Sequence, residues 1–164
     1  MAADPAASSP PATPRQQEVA RQTRDEHDAL LDAMHELEAA LTAAAPGRER
    51  AWNQRVIEKL RAVADRLAEH VRSADGPDGL LAEIDATRPT LLHRGERLRR
   101  EHADLLQQAR ALQRQVEHHG DGEVPNFRDI RQRASWLLGA LRHHQAIETD
   151  LIFESWFTDI GAGD

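Results

Sequence analysis

Apolar side chains return every three or four residues along most of this chain, and a few sharp breaks divide the rhythm. From Arg15 to about Ala44, the positions Ala20, Thr23, His27, Leu30, Met34, Leu37 and Leu41 fall on one helical face. Pro46-Gly47 ends this first helix. A second helix is predicted from about Glu49 to Ala74, with Val56, Leu60, Val63, Leu67 and His70 on one side. Asp75-Gly76-Pro77-Asp78-Gly79 breaks it, and Leu80 to Ile84 reads as a short connecting turn of helix before Arg88-Pro89. The third helix spans roughly Pro89 to His118, with Leu91, Leu98, His102, Leu105, Ala109, Leu112 and Val116 inward, and Gly120 to Pro125 closes it. Asn126 suits the N-cap of a fourth helix reaching about Phe157, with Ile130, Leu137, Leu141, His144, Glu148 and Leu151 as its buried stripe.

Strand alternation and internal repeats are absent from the pattern. Four helices of similar length joined by short breaks predict an all-α fold, an antiparallel up-down-up-down four-helix bundle. It should occupy residues 15–157. An Ala/Pro-rich N-terminal tail (1–14), expected to be disordered, precedes it, and a short C-terminal tail (158–164) follows.

Composition narrows the chemistry. Aromatics make up only 4% of the chain, so its core must be built from Leu, Ala and Val, as helical proteins allow. The net charge of −7 gives no nucleic-acid footprint, and Arg94, Arg97, Arg99 and Arg100 are interleaved with acids on what reads as a solvated face. Cysteine is absent, which removes disulfides, thiolate metal sites and thiol catalysis together and suits a cytoplasmic protein. Lys59 is the only lysine beside many arginines and alanines, a bias that points to a GC-rich, bacterial genome. The N-terminal segment lacks the features of a signal peptide, and no apolar run approaches the ~18 residues of a membrane span.

Each predicted helix carries one histidine on its inner face: His27, His70, His102 and His144. Counted from the bundle end shared by the helix-one/two and helix-three/four loops, they lie about 17, 21, 16 and 18 residues deep, a spread of roughly 7 Å. They form one layer. Glu148 lies one turn beyond His144 on the same face, at the height of His70. Unpaired imidazoles and a carboxylate are costly in an apolar core, and a metal ion would satisfy them all. The alternative is a hydrogen-bonded polar layer without metal. His93, His118 and His119 are expected at the surface, as are His35 and His143, which lie about 80° and 100° away from the inward histidine of their own helix. Four imidazoles can hold one ion, and a bridging carboxylate makes two reasonable. The donors suit iron, manganese or zinc rather than calcium.

The order and spacing of these residues resemble the hemerythrin-like (HHE cation-binding) domain. That family places a histidine on helices one and three and a His-x-x-x-Glu pair on helices two and four. His27 within Asp25-Glu26-His27-Asp28 matches the first, His102 within Arg100-Glu101-His102 the third, and His144-Gln145-Ala146-Ile147-Glu148 the fourth. The second departs from the pattern: Ala74 stands four residues after His70, and Asp75 follows at the next position. Asp75 is either a second carboxylate ligand or an ordinary turn cap, with Glu69 as a fallback. Leu98 and Leu106 flank His102, so the five-histidine site of oxygen carriers is not matched.

The resemblance implies a non-haem iron protein, with two ions held by His27, His70, Asp75, His102, His144 and Glu148, that binds or senses O2, NO or iron. A di-iron enzyme acting on peroxide or nitric oxide is a second reading. A third is a metal-free interaction module, with Trp136, Phe153, Trp156 and Phe157 as a partner surface or as packing. The chain has no tyrosine for a tyrosyl radical and no Glu-x-x-His of the ferritin-like kind.

Overall fold

The computed structural model describes residues 11–43, 47–118 and 126–157. Every regular element among them is helical. Helix α1 covers Pro14–Thr42, α2 Glu49–Ala74, α3 Leu80–Thr87, α4 Leu92–His118 and α5 Phe127–Trp156, with a 3-10 turn at Pro89–Leu91. Most of the predicted N-terminal tail, the whole C-terminal tail, Pro46, His119 and the closing Gly120–Pro125 break lie outside the described residues.

Local chemistry sets the boundaries. Thr13 and Gln16 form a reciprocal capping box, and Pro14 occupies the first turn of α1, where its missing N–H leaves nothing unsatisfied. The helix therefore begins one residue before the predicted start. Asn126 caps α5 by accepting from the Asp129 N–H at 3.1 Å. The predicted connecting turn after Gly79 is two turns of helix, α3, whose Leu80, Leu81 and Ile84 are all buried. Arg88, directly before Pro89, is excluded from helical geometry (φ −134°, ψ 69°), so the third predicted helix begins as a 3-10 turn and settles into α4 at Leu92.

The four long helices form a ring in which α1 packs along α2, α2 along α4, α4 along α5, and α5 against α1. Cross-helix pairs show their directions. Glu26 meets His70 and Glu36 meets Lys59; Asp75 meets His102 and Arg61 meets Glu117. Glu101 meets His144 and Gln115 meets Arg133; His27 meets Glu148 and Glu38 meets Arg142. On each seam one numbering rises as the other falls, so neighbours are antiparallel. At the end remote from α3, the Arg131 guanidinium donates to the Leu41 and Ala43 carbonyls at 2.7 and 3.2 Å, satisfying the α1 C-terminus.

The core is two apolar bodies rather than one. The larger contains Leu30, Leu37, Val56, Leu60, Leu67, Leu105, Leu137 and Leu141. The smaller, roofed by α3, contains Val19, Ala20, Ala74, Leu80, Leu81, Ile84, Leu98, Leu151, Ile152 and Trp156. Each fully buried Leu or Ile contributes about 1.5–3 kcal/mol. Along every long helix the inward histidine falls between the members of one body and those of the other.

Candidate metal centre

Helical periodicity turns the layer inward. His70, His102, His144 and Glu148 are 0–3% exposed, and each offers a ligand atom within 4.8 Å of all the others. His27 stands beside them with its side chain 12% exposed and Nε2 2.6 Å from Glu148 Oε2. Neighbouring imidazole centroids are 4.7–5.2 Å apart around the layer, from His27 to His70 to His102 to His144. Leu30, Leu67, Leu105 and Leu141 floor the site and are all buried.

The two nitrogens of the buried imidazoles have different surroundings. On the Nδ1 side, His70 meets Glu26 Oε2 at 3.1 Å, His102 meets Asp75 Oδ1 at 2.7 Å, and His144 meets Glu101 Oε2 at 3.2 Å. Since a carboxylate only accepts, each Nδ1–H donates, which in the neutral ring fixes the tautomer and turns the Nε2 lone pair inward. The Nε2 atoms of all three, together with Glu148 Oε1, are buried and form no hydrogen bond. Four buried polar atoms that complete no hydrogen bond converge on one place, in an interior where an unsatisfied polar atom costs about 1–3 kcal/mol. A cation that accepts three nitrogens and a carboxylate removes that cost. This buried His/Glu cluster can hold a metal ion.

Electrostatics point the same way. Burial pushes the Glu148 carboxyl up, but His102, His27 and His70 override it and hold its pKa well below the usual carboxylate range. Burial likewise opposes charge on His70, yet the Glu148 and Glu26 carboxylates beside its ring raise its pKa from 6.5 to about 10. His102 is raised, with burial outweighed by Asp75 and Glu148. His144 is lowered, chiefly by burial. Glu26 and Glu101 are lowered: burial is offset by His70 in the first case and by His144 in the second. The centre holds a permanent anion and draws positive charge toward it.

The structure thus brings His27, His70, His102, His144 and Glu148 together. Asp75 touches the group from behind, through His102 Nδ1, and lies outside the set of mutually close ligand atoms. It is the C-cap of α2 in helical geometry (φ −85°, ψ −10°), its N–H bonded to Val71 O, and this extra turn carries its carboxylate to α4. Glu69 is exposed and pairs with Arg66. Ala74 is packed in the smaller core. His35, His93, His118 and His143 are exposed.

Glu26 and Glu101 are the residues that sequence reasoning missed. A partial signal existed: helices one, two and three each carry a Glu-His dipeptide at the inward histidine, but only Glu26 and Glu101 face a neighbouring helix, whereas Glu69 turns to Arg66 of its own. Of the aromatics near the fourth helix, Trp156 is buried with its indole N–H 3.4 Å from Thr87 Oγ1, while Trp136, Phe153 and Phe157 are about half or more exposed. No helix among the described residues is long and apolar enough to cross a membrane. Comparison with protein-family models, curated proteins and solved structures finds no match to this chain.

Proposed function

We propose that this protein is a hemerythrin-like up-down-up-down four-helix bundle that holds non-haem iron and binds or senses a small diatomic ligand, O2 or NO. The observation carrying this reading is the convergence of His70, His102 and His144 Nε2 with Glu148 Oε1, all buried and none completing a hydrogen bond. Mixed imidazole and carboxylate donors fit iron, with manganese or zinc as lesser competitors. Iron would supply reversible one-electron chemistry and an open position for the ligand.

Two ions are favoured by the way Glu148 divides its oxygens. Oε2 lies 2.6 Å from His27 Nε2 and 3.1 Å from His70 Nε2, whereas Oε1 lies 3.6 Å from His102 Nε2. His27 and His70 would hold one ion, His102 and His144 the other, and Glu148 would bridge them. Asp75 acts in this reading as the acceptor that orients His102, beside Glu26 and Glu101 on the other two. The mutual closeness of His70, His102, His144 and Glu148 favours a second reading, a single ion without His27. A protein without cysteine is suited to the reducing cytoplasm, where we place it.

Anaerobic loading of the full chain with ferrous iron, followed by metal analysis and oxidation, tests the proposal. Two ions per chain with oxo-to-iron charge-transfer absorption is the expected result, and one ion per chain selects the second reading. A protein that takes up no iron overturns both.

A further inference from the structure

The four inward histidines are not held alike. His70, His102 and His144 each have a carboxylate at Nδ1, and those carboxylates stand on the α1–α2, α2–α4 and α4–α5 seams. Gln22 Nε2 closes the α1–α2 seam further by donating to Ser73 Oγ, and Glu26 and Glu101 are each held on their own helix, by Gln22 and by Arg97. The fourth seam, α1–α5, is bridged by Gln145 Nε2 donating to the His27 carbonyl at 3.1 Å, but differs at the ring. His27 makes its one side-chain hydrogen bond inward, to Glu148, and is the only member of the group above 3% exposure.

That same seam contains a groove of about 330 Å³ bounded by His27. Ala20, Ile152, Phe153 and Phe157 give it apolar walls. Its charged residues, Arg24 and Asp28, have opposite signs and lie one turn apart on α1, so the groove has no net charge to attract an ion. A larger groove at Gln108, Leu112, Gln132 and Trp136 touches none of the five residues of the centre.

Resting on the iron-binding reading above, we infer that the α1–α5 groove is the passage by which a small uncharged molecule reaches the centre, and that His27 is the exchangeable ligand at its inner end. The histidine that nothing orients from behind is the one facing the groove. With the inward nitrogens given to the ion, turning His27 outward would break its bond to the ion alone, whereas moving any of the other three would also break its carboxylate contact at Nδ1. The apolar walls favour a neutral diatomic over an anion of similar size.

Blocking the groove tests this. Ile152→Trp fills it from α5; Thr149→Trp, from a half-buried position on the same wall, serves if the first variant does not fold. Gln132→Trp in the remote groove is the control. The full chain and each variant are loaded with ferrous iron, assayed for bound iron and mixed with nitric oxide in a stopped-flow instrument. The groove variant should keep its iron and associate with nitric oxide slower by about tenfold or more, the control at the wild-type rate. Full iron with an unchanged rate overturns the passage. A wild-type chain that binds no iron sinks the functional reading, and this inference with it. In zinc-loaded protein labelled with nitrogen-15, the His27 ring signals should be exchange-broadened and those of His70, His102 and His144 sharp. Four equally sharp sets overturn the assignment of His27.

Discussion

At the scale of single residues, the site depends on side chains that never face its centre. Glu101 is about a quarter exposed and would pass for a solvated charge, yet it fixes the ring of His144 on the next helix. Removing such an acceptor leaves the imidazole free to turn, and the usual consequence is a ten- to hundredfold loss in metal affinity, in order-of-magnitude terms. Glu101→Ala should show about that loss in chelator competition, with little change in helicity, and Glu101→Gln, which keeps an accepting oxygen, should recover part of it. Equal affinity in all three proteins would separate Glu101 from the site. This layer of control is also what the sequence conceals. His27, His70, His102, His144 and Glu148 were legible because a helical period decides which face a residue occupies, and the faces were apolar. Glu26 and Glu101 lie off that face among many other acids, and only the neighbouring helix gives them a purpose.

At the scale of elements, α3 explains why the end of α2 carries an alanine at position 74. Gly79 lies so close to the end of α2 that an added Cβ would fall 2.0 Å from Ser73 O and 2.6 Å from Ala74 O. With Leu80, Leu81 and Ile84 packed under this contact, Ala74 is 2% exposed and walled by apolar neighbours. A carboxylate there would enter the smaller core, and the acid of this junction is instead Asp75, which meets His102 Nδ1 at 2.7 Å. Gly79→Ala should force the α2–α3 junction apart at a cost of about 1–3 kcal/mol, read as a lower denaturant midpoint. Because Asp75 belongs to the same junction, metal affinity should fall as well. A midpoint within error of wild type would mean the junction yields without strain. The long helices and Asn126 were readable from apolar spacing and capping chemistry. The extent of α3 was not, since eight residues between two breakers give too few periods, and its roofing role is a tertiary fact.

For the whole molecule, the buried charges set a pH dependence that metal reverses. In metal-free protein the folded His70 pKa, about 10, exceeds its ordinary 6.5. Its stabilising contribution is therefore complete below the ordinary value and is lost as pH rises through about 10. Glu148 is depressed in the fold, so its contribution is present above the ordinary carboxylate value and disappears as pH falls through the lowered one. Metal-free protein should thus be most stable between these limits and weaken toward alkaline pH, as chemical denaturation across a pH series would show. A metal ion must displace the proton from His70, so loading should release protons and tighten as pH rises. Titration calorimetry in buffers of different ionisation enthalpy measures that release, and an absence of proton exchange near neutral pH would contradict the charged state assigned to His70.

The orienting contacts close on themselves. Glu26 of α1 serves α2, Asp75 of α2 serves α4, Glu101 of α4 serves α5, and Glu148 of α5 returns to His27 of α1. Three of these steps follow the order of the long helices along the chain, and the last crosses from the end of the chain to its beginning. No single helix cut from the protein carries an oriented ligand and its orienter together, because every partnership spans two helices. The centre is consequently a property of completed folding, and its affinity for an ion reports whether the circuit is whole. A nascent chain still lacking α5 would have neither Glu148 nor the fourth imidazole. It would therefore have little hold on a metal, and premature loading during synthesis is discouraged by architecture alone.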